Sequence, residues 1–179
     1  MSDTTVHGTF WEVPARPPLC AIAMEIVPLD LVAEWRRCGM ISDLFADYLS
    51  YAFERREIAR SILSTVVNEL VENAAKYSAD KLARSRIALE HHGTVLLVEV
   101  RNVADAGHVE VLGAELAELA AGDAAAVFAR RLADRRGLGL ALVASDYGAT
   151  LGATVTPSGA GLSVVCVRAA LPTEQVEQR

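Results

Sequence analysis

The sequence predicts an α+β fold: a two-layer sandwich with a mostly antiparallel sheet and helices on one face. Three observations lead there. Apolar residues recur at helical spacing over long segments, as in Ile58, Ile62, Val66, Leu70 and Ala74. Alternating, β-rich runs come in adjacent pairs across turn residues. The order along the chain is strand, helices, paired strands, helices, paired strands, with no internal repeat.

Residues 1–18 are polar and carry Pro14, Pro17 and Pro18, which fits a loose or edge-pairing arm. Residues 20–27 form a short apolar run bounded by prolines, a strand signal. From residue 29 to about 54 the pattern is helical, through Leu31, Val32, Trp35, Ile41, Leu44, Phe45, Tyr48, Leu49 and Phe53, with a break expected at Gly39. A second helix is expected from about Arg56 to Tyr77. Residues 85–91 and 94–101 read as two strands joined at His92-Gly93, which makes His91 and His92 turn residues rather than ligands.

Residues 103–136 change in character, with Ala, Glu and Asp dominant. Val109, Leu112, Leu116 and Leu119 have helical spacing, as do Val127, Phe128, Arg131 and Leu132; Asp123 is placed to cap the second helix. Another helix is expected from about residue 138 to 147, stopped by Gly148. Residues 151–156 and 162–171 then form a last hairpin across 157–161, leaving 173–179 as a tail.

Length and composition narrow the function classes. At 179 residues the chain makes one domain, over 19–172, with a core of its own; 52% apolar and 22% charged residues describe a globular protein. A net charge of -6 argues against nucleic acid as a partner, because phosphates would be repelled. The first residues lack the basic start and apolar core of a signal peptide, and no apolar run is long enough to span a bilayer. Cys20, Cys38 and Cys166 stand far apart among apolar neighbours, as free thiols do in a reducing cytoplasm, so a cytoplasmic location is expected.

Two motifs carry chemistry. Residues 68–78 lie in the helix expected from Arg56. Within them Glu69, Asn73 and Lys76 stand at i, i+4 and i+7, one stripe away from the core residues. A carboxylate that acts as a base, an amide oxygen that ligates magnesium and an ammonium that meets phosphate together suit a metal-bound polyphosphate. A charged stripe is ordinarily a solvated face. Against that, Asn is a poor mid-helix residue and needs something to hold it, and Ala74-Ala75 keep the surface low beside it. The second motif, Arg136-Gly137-Leu138-Gly139-Leu140, precedes an apolar helix, where free amides and the helix dipole favour phosphate. The same glycines also serve a tight connection. No Gly-x-x-x-x-Gly-Lys-Ser/Thr occurs, and a Rossmann turn would need a preceding strand and a glycine where Leu142 stands.

Together the two motifs resemble those of the GHKL (Bergerat-fold) ATPase superfamily, to which histidine-kinase ATP domains and anti-sigma-factor serine kinases belong. Residues 68–77 look like its N box and 137–143 like its G2 box, while 147–151 and 159–163, including Ser163, are similar to its closing hairpin. The resemblance implies that Glu69 is the general base and that Asn73 holds the magnesium bridging the phosphates of ATP. It implies that Lys76, Arg136, Gly137, Leu138, Gly139 and Leu140 receive the phosphate chain, and that 103–136 is the lid. The G1 box, Asp-x-Gly-x-Gly in that superfamily, is altered: Asn102 takes the aspartate's place by register, while Asp105-Ala106-Gly107 keeps the spelling three residues later. Either one is placed to meet adenine. Arg135-Arg136 cover phosphates in a closed lid or compensate a helix C-terminus.

Only His7 lies upstream of the N box, and there is no long transducer domain, so the chain looks most like the bacterial partner-switching kinases. That implies phosphorylation of a serine or threonine on a small partner or antagonist protein, with ATP and magnesium as cofactors. The alternative is a non-catalytic, anti-sigma-like module that sequesters a partner. The apolar face of the N-terminal helices belongs to the core or to a homodimer.

Overall fold

The computed structural model describes residues 4–134 and 137–177. Among them are a six-stranded antiparallel sheet and seven helices, arranged as an α+β sandwich. The strands are β1 (Thr5–Gly8), β2 (Cys20–Ile26), β3 (Ser85–His91), β4 (Val95–Asp105), β5 (Thr150–Gly159) and β6 (Leu162–Pro172), in the order β1-β5-β6-β4-β3-β2. The helices are α1 (Pro28–Ala33), α2 (Arg36–Ser50), α3 (Arg56–Tyr77), α4 (Ala106–Ala121), α5 (Ala124–Asp134), α6 (Leu138–Tyr147) and α7 (Thr173–Glu177). None is long and apolar enough to cross a membrane.

The central helix is α3. Its buried residues, Ala59, Ile62, Leu63, Val66, Val67, Leu70, Val71, Ala74 and Ala75, fall at spacings of three and four, and they pack against α2 on one side and the sheet on the other. Opposite them Ile87, Leu89, Leu96, Val98 and Val100 alternate along β3 and β4, pointing the apolar half of each strand at the helices. Each fully buried aliphatic side chain of this kind contributes about 1.5–3 kcal/mol.

The expected helix of residues 29–54 is two helices, and the break is not at Gly39. That glycine lies within α2 with nothing near its Cα, whereas Glu34, extended at φ -138° and ψ 88°, ends α1. The next residue, Trp35, packs beside α3, its ring 5.2 Å from Lys76 Nζ, so the break coincides with a tertiary contact. Strand β4 also runs past residue 101, where the sequence pattern stops. Asn102, Val103, Ala104 and Asp105 pair with Val165, Val164, Ser163 and Leu162 of β6. Within the expected tail, residues 173–177 form α7, with Val176 buried and packed against the core.

Within the N-terminal arm, β1 pairs with β5 at the sheet edge. The chain then crosses Gly152, where any side chain would strike the backbone of Thr9 and Phe10, and a Cβ on Gly113 of α4 would stand 2.7 Å from His7 Nδ1. Arg168 fixes the crossing from the outer face of the sheet: it donates to Glu99 and to the carbonyl of Trp11 and stacks on Phe10 at 4.2 Å. All three cysteines are free, and burial pushes the Cys166 thiol up to about 12, which makes it inert.

Candidate functional site

An open cleft lies between α3, α4, the start of α6 and the inward face of β4 and β6. Its walls are mostly apolar, with Leu70, Val100, Ala104, Leu112, Leu140 and Val165 among them. Tyr77 and His108 form one rim, their rings 5.2 Å apart at 49°. Such a slot suits a flat heteroaromatic ring.

Asn102 is the polar group of the floor. Only 6% of it is exposed, it lines the cleft, and its carboxamide makes no hydrogen bond among the described residues. Its amide atoms are open to the cleft rather than sealed in the core. It can offer both an acceptor and a donor to a ligand. Its place follows from strand periodicity, because residues 98, 100, 102 and 104 share one face of β4. Asp105, the other residue with adenine in reach by sequence, is engaged elsewhere. Its carboxylate caps α4, accepting from His108 N at 2.9 Å and pairing with His108 Nδ1 at 2.8 Å, and these bonds hold it below the usual carboxylate range.

Glu69 and Asn73 stand one turn apart on α3, and Glu69, like Gly137 and Gly139, is not among the residues that line the cleft. Asn73 lines the cleft. Glu69 reaches α6, where its carboxylate lies so close to Gly139 that a methyl group there would overlap Oε2. That glycine is therefore needed for the approach of the carboxylate. Glu69 makes no hydrogen bond among the described residues; burial pushes its pKa up, Glu72 adds to the rise, and Lys76 opposes it. Gly137 caps α6 in the left-handed conformation, φ 55°, turning the helix N-terminus towards this spot.

Lys76 is elsewhere. Its Nζ lies 3.0 Å from Glu72 Oε2 and against the Trp35 ring, on the neighbouring ridge of α3, and it does not line the cleft. Leu140 lines the cleft, whereas Leu138, Gly107 and Ser163 do not; Ser163 is half-buried opposite Ala104. Arg136 and its neighbour Arg135 lie outside the described residues.

Two further groups at this end have no local sequence signal. Glu115 of α4 lines the cleft and pairs with Arg131 of α5, which also bonds Glu118 at 2.6 Å and the carbonyl of Gly137 at 3.0 Å. Burial raises the Glu115 pKa although the guanidinium beside it opposes the shift. The residues that meet here lie 16 apart in sequence, on different helices.

The set fits a magnesium-bound nucleotide. The apolar slot and the cleft-facing Asn102 suit a base, and the α6 N-terminus suits phosphate. Asn73 would offer an amide oxygen to a magnesium ion brought in with the phosphates. Among the described residues there is no cluster of three or more His, Cys, Asp or Glu side chains that could hold a metal.

No family model matches the chain, and no curated protein matches it. Its structure is similar to a chain in the crystal structure of the SiaB-SiaC complex from Pseudomonas aeruginosa. The TM-score is 0.66 at 18% identity, covering 86% of this chain and 91% of that one. A likeness of that kind establishes a shared fold.

Proposed function

We propose that this protein is a Mg-ATP-dependent kinase of a partner-switching pathway, acting on a serine or threonine of a small partner protein. The observation that carries the proposal is the Glu69 carboxylate, without a hydrogen-bond partner among the described residues, beside Gly139 at the start of α6, one turn from Asn73 on the wall of a cleft that also holds Asn102. The raised pKa of Glu69 increases its proton affinity, as a general base requires. In the step it serves, the partner's hydroxyl proton passes to Glu69 as the hydroxyl oxygen bonds to the γ-phosphorus and the bond to the ADP oxygen breaks. Asn73 holds the magnesium of the substrate nucleotide, and the amides at the start of α6 hold the phosphates. The occurrence of the similar fold in a two-protein complex supports a protein as the acceptor.

A second reading, a module that binds a partner without catalysis, is favoured by Lys76. The cation expected at phosphate is bound to Glu72 instead.

Calorimetric titration of ATP, with and without magnesium, followed by transfer from labelled ATP in an extract of the host cell, separates the two. The kinase reading expects magnesium-dependent binding that survives Glu69→Gln, fails in Asn102→Leu, and gives a labelled protein that Glu69→Gln abolishes. Absence of binding at millimolar ATP would overturn it in favour of the module.

A further inference from the structure

Two carboxylates flank the start of α6. Glu69 lies against Gly139, and Glu115 Oε1 would stand 3.6 Å from a Cβ on Gly137. A helix N-terminus favours an anion, so carboxylates there compete with the phosphates of a nucleotide for the same amides. Were both unpaired, a polyphosphate would meet two like charges at the place that should hold it.

Arg131 of α5 neutralises one of them. Its Nη1 donates to Glu115 Oε1 and, at 3.0 Å, to the carbonyl of Gly137, while its Nη2 donates to Glu118 Oε2 at 2.6 Å. Arg130 takes the other Glu118 oxygen. The Arg131 and Glu115 side chains are each only 16% exposed, so this pair is poorly screened, unlike the exposed bridges that contribute little. Burial favours the neutral acid at Glu115, and the guanidinium opposes it. One planar fork thus joins two residues of α4 to the residue that caps α6. Room is kept for it: a Cβ on Gly137 would stand 2.9 Å from Nη1, so this glycine serves the guanidinium as well as its own left-handed conformation.

A brace between α4 and α5 needs no third partner, and Arg130 with Glu118 already supplies one. The bond to the Gly137 carbonyl goes further, to the residue from which α6 starts. We infer, resting on the nucleotide reading above, that Arg131 is the positioning residue of the phosphate end. It holds the Glu115 carboxylate back from the nucleotide and fixes the start of the helix whose amides receive the phosphates. It touches no reacting atom and acts through Glu115 and Gly137.

The test is calorimetric titration of magnesium-ATP, and of adenosine, which has the base without the phosphates, into wild type and Arg131→Gln. The variant should bind ATP at least about 10-fold more weakly, the worth of one uncompensated charge in a partly screened site, and adenosine within about 2-fold of wild type. A general loosening of α4 and α5 would weaken both ligands. If Arg131→Gln fails to fold, Arg131→Lys decides. Its single ammonium keeps a charge beside Glu115 but cannot also span to the carbonyl, so ATP should bind about 3-fold or more weakly and adenosine as in wild type. With a wild type that binds ATP alone, the ATP ratio between variant and wild type decides by the same figures. Unchanged ATP binding in the variant that folds, or equal weakening of ATP and adenosine, would overturn the inference and leave the nucleotide reading standing. A wild type that binds neither ligand overturns both.

Discussion

Two polar ridges run side by side along α3, and they are opposites. On one, Glu72 accepts from Asn68 at 2.9 Å and from Lys76 at 3.0 Å. On the other, three residues back, Glu69 has no partner among the described residues, and Asn73 faces the cleft. Burial raises both carboxyl pKa values; at Glu72 the hydrogen bonds from Lys76 and Asn68 outweigh it and the net shift is downward, while at Glu69 it prevails. Two glutamates less than one turn apart thus have opposite protonation preferences. The satisfied ridge fastens α1 and α2 to the central helix, and the unsatisfied one is available to a ligand.

The sharpest way to break this contrast is Glu69→Gln. It should reduce phosphotransfer by about 10²–10⁴-fold, the usual worth of a general base. Folding stability should hold or rise, as measured by urea denaturation, because an unpaired, half-buried charge is removed. Next is Gly139→Ala, whose methyl displaces the Glu69 carboxylate. Activity should fall about 100-fold, as misplacement of a reacting group does. The melting temperature should move by only a few degrees, because the atom displaced is the end of a flexible side chain. The smallest effect belongs to the other ridge: Glu72→Gln should cost about 1 kcal/mol of stability and leave transfer within a few-fold.

The same pair has opposite pH signatures. Glu72, lowered in the fold, adds stability above its unfolded pKa, and this is lost as pH falls through the folded value. Glu69, raised in the fold, adds stability only below its unfolded pKa, and this is lost as pH rises through the folded value. Wild type should therefore exceed Glu72→Gln at neutral pH and lose that lead in acid. Glu69→Gln should match wild type in acid and overtake it as pH rises. Identical profiles for the two variants would remove the distinction between the ridges.

The sequence made α3 and β3 legible to the residue, because periodicity and turn chemistry act locally. The Glu69–Asn73 stripe and the Gly137–Gly139 turn were legible for the same reason. The break before α2 was not, since no glycine or proline marks it and Trp35 meets its neighbour on α3 only in the folded chain. Nor was the length of β4 or the burial of Asn102, which depend on pairing with β6, sixty and more residues away. Lys76 shows a different limit. Spacing put it on the Glu69 stripe, but Glu72 is one turn away and pairs with it.

The four residues of β1 have a consequence for solubility. Strand β5 is ten residues long and has β6 on one side; on the other, from Gly152 to Val155, its hydrogen-bonding groups meet only β1. The glycines at 113 and 152 that let the arm thread between α4 and the sheet thereby keep a template for intermolecular strand addition closed. A chain truncated before Thr9 should keep its core and cleft yet scatter light at concentrations where the intact chain stays clear. The arm then acts as a gatekeeper against aggregation, selected for what it prevents.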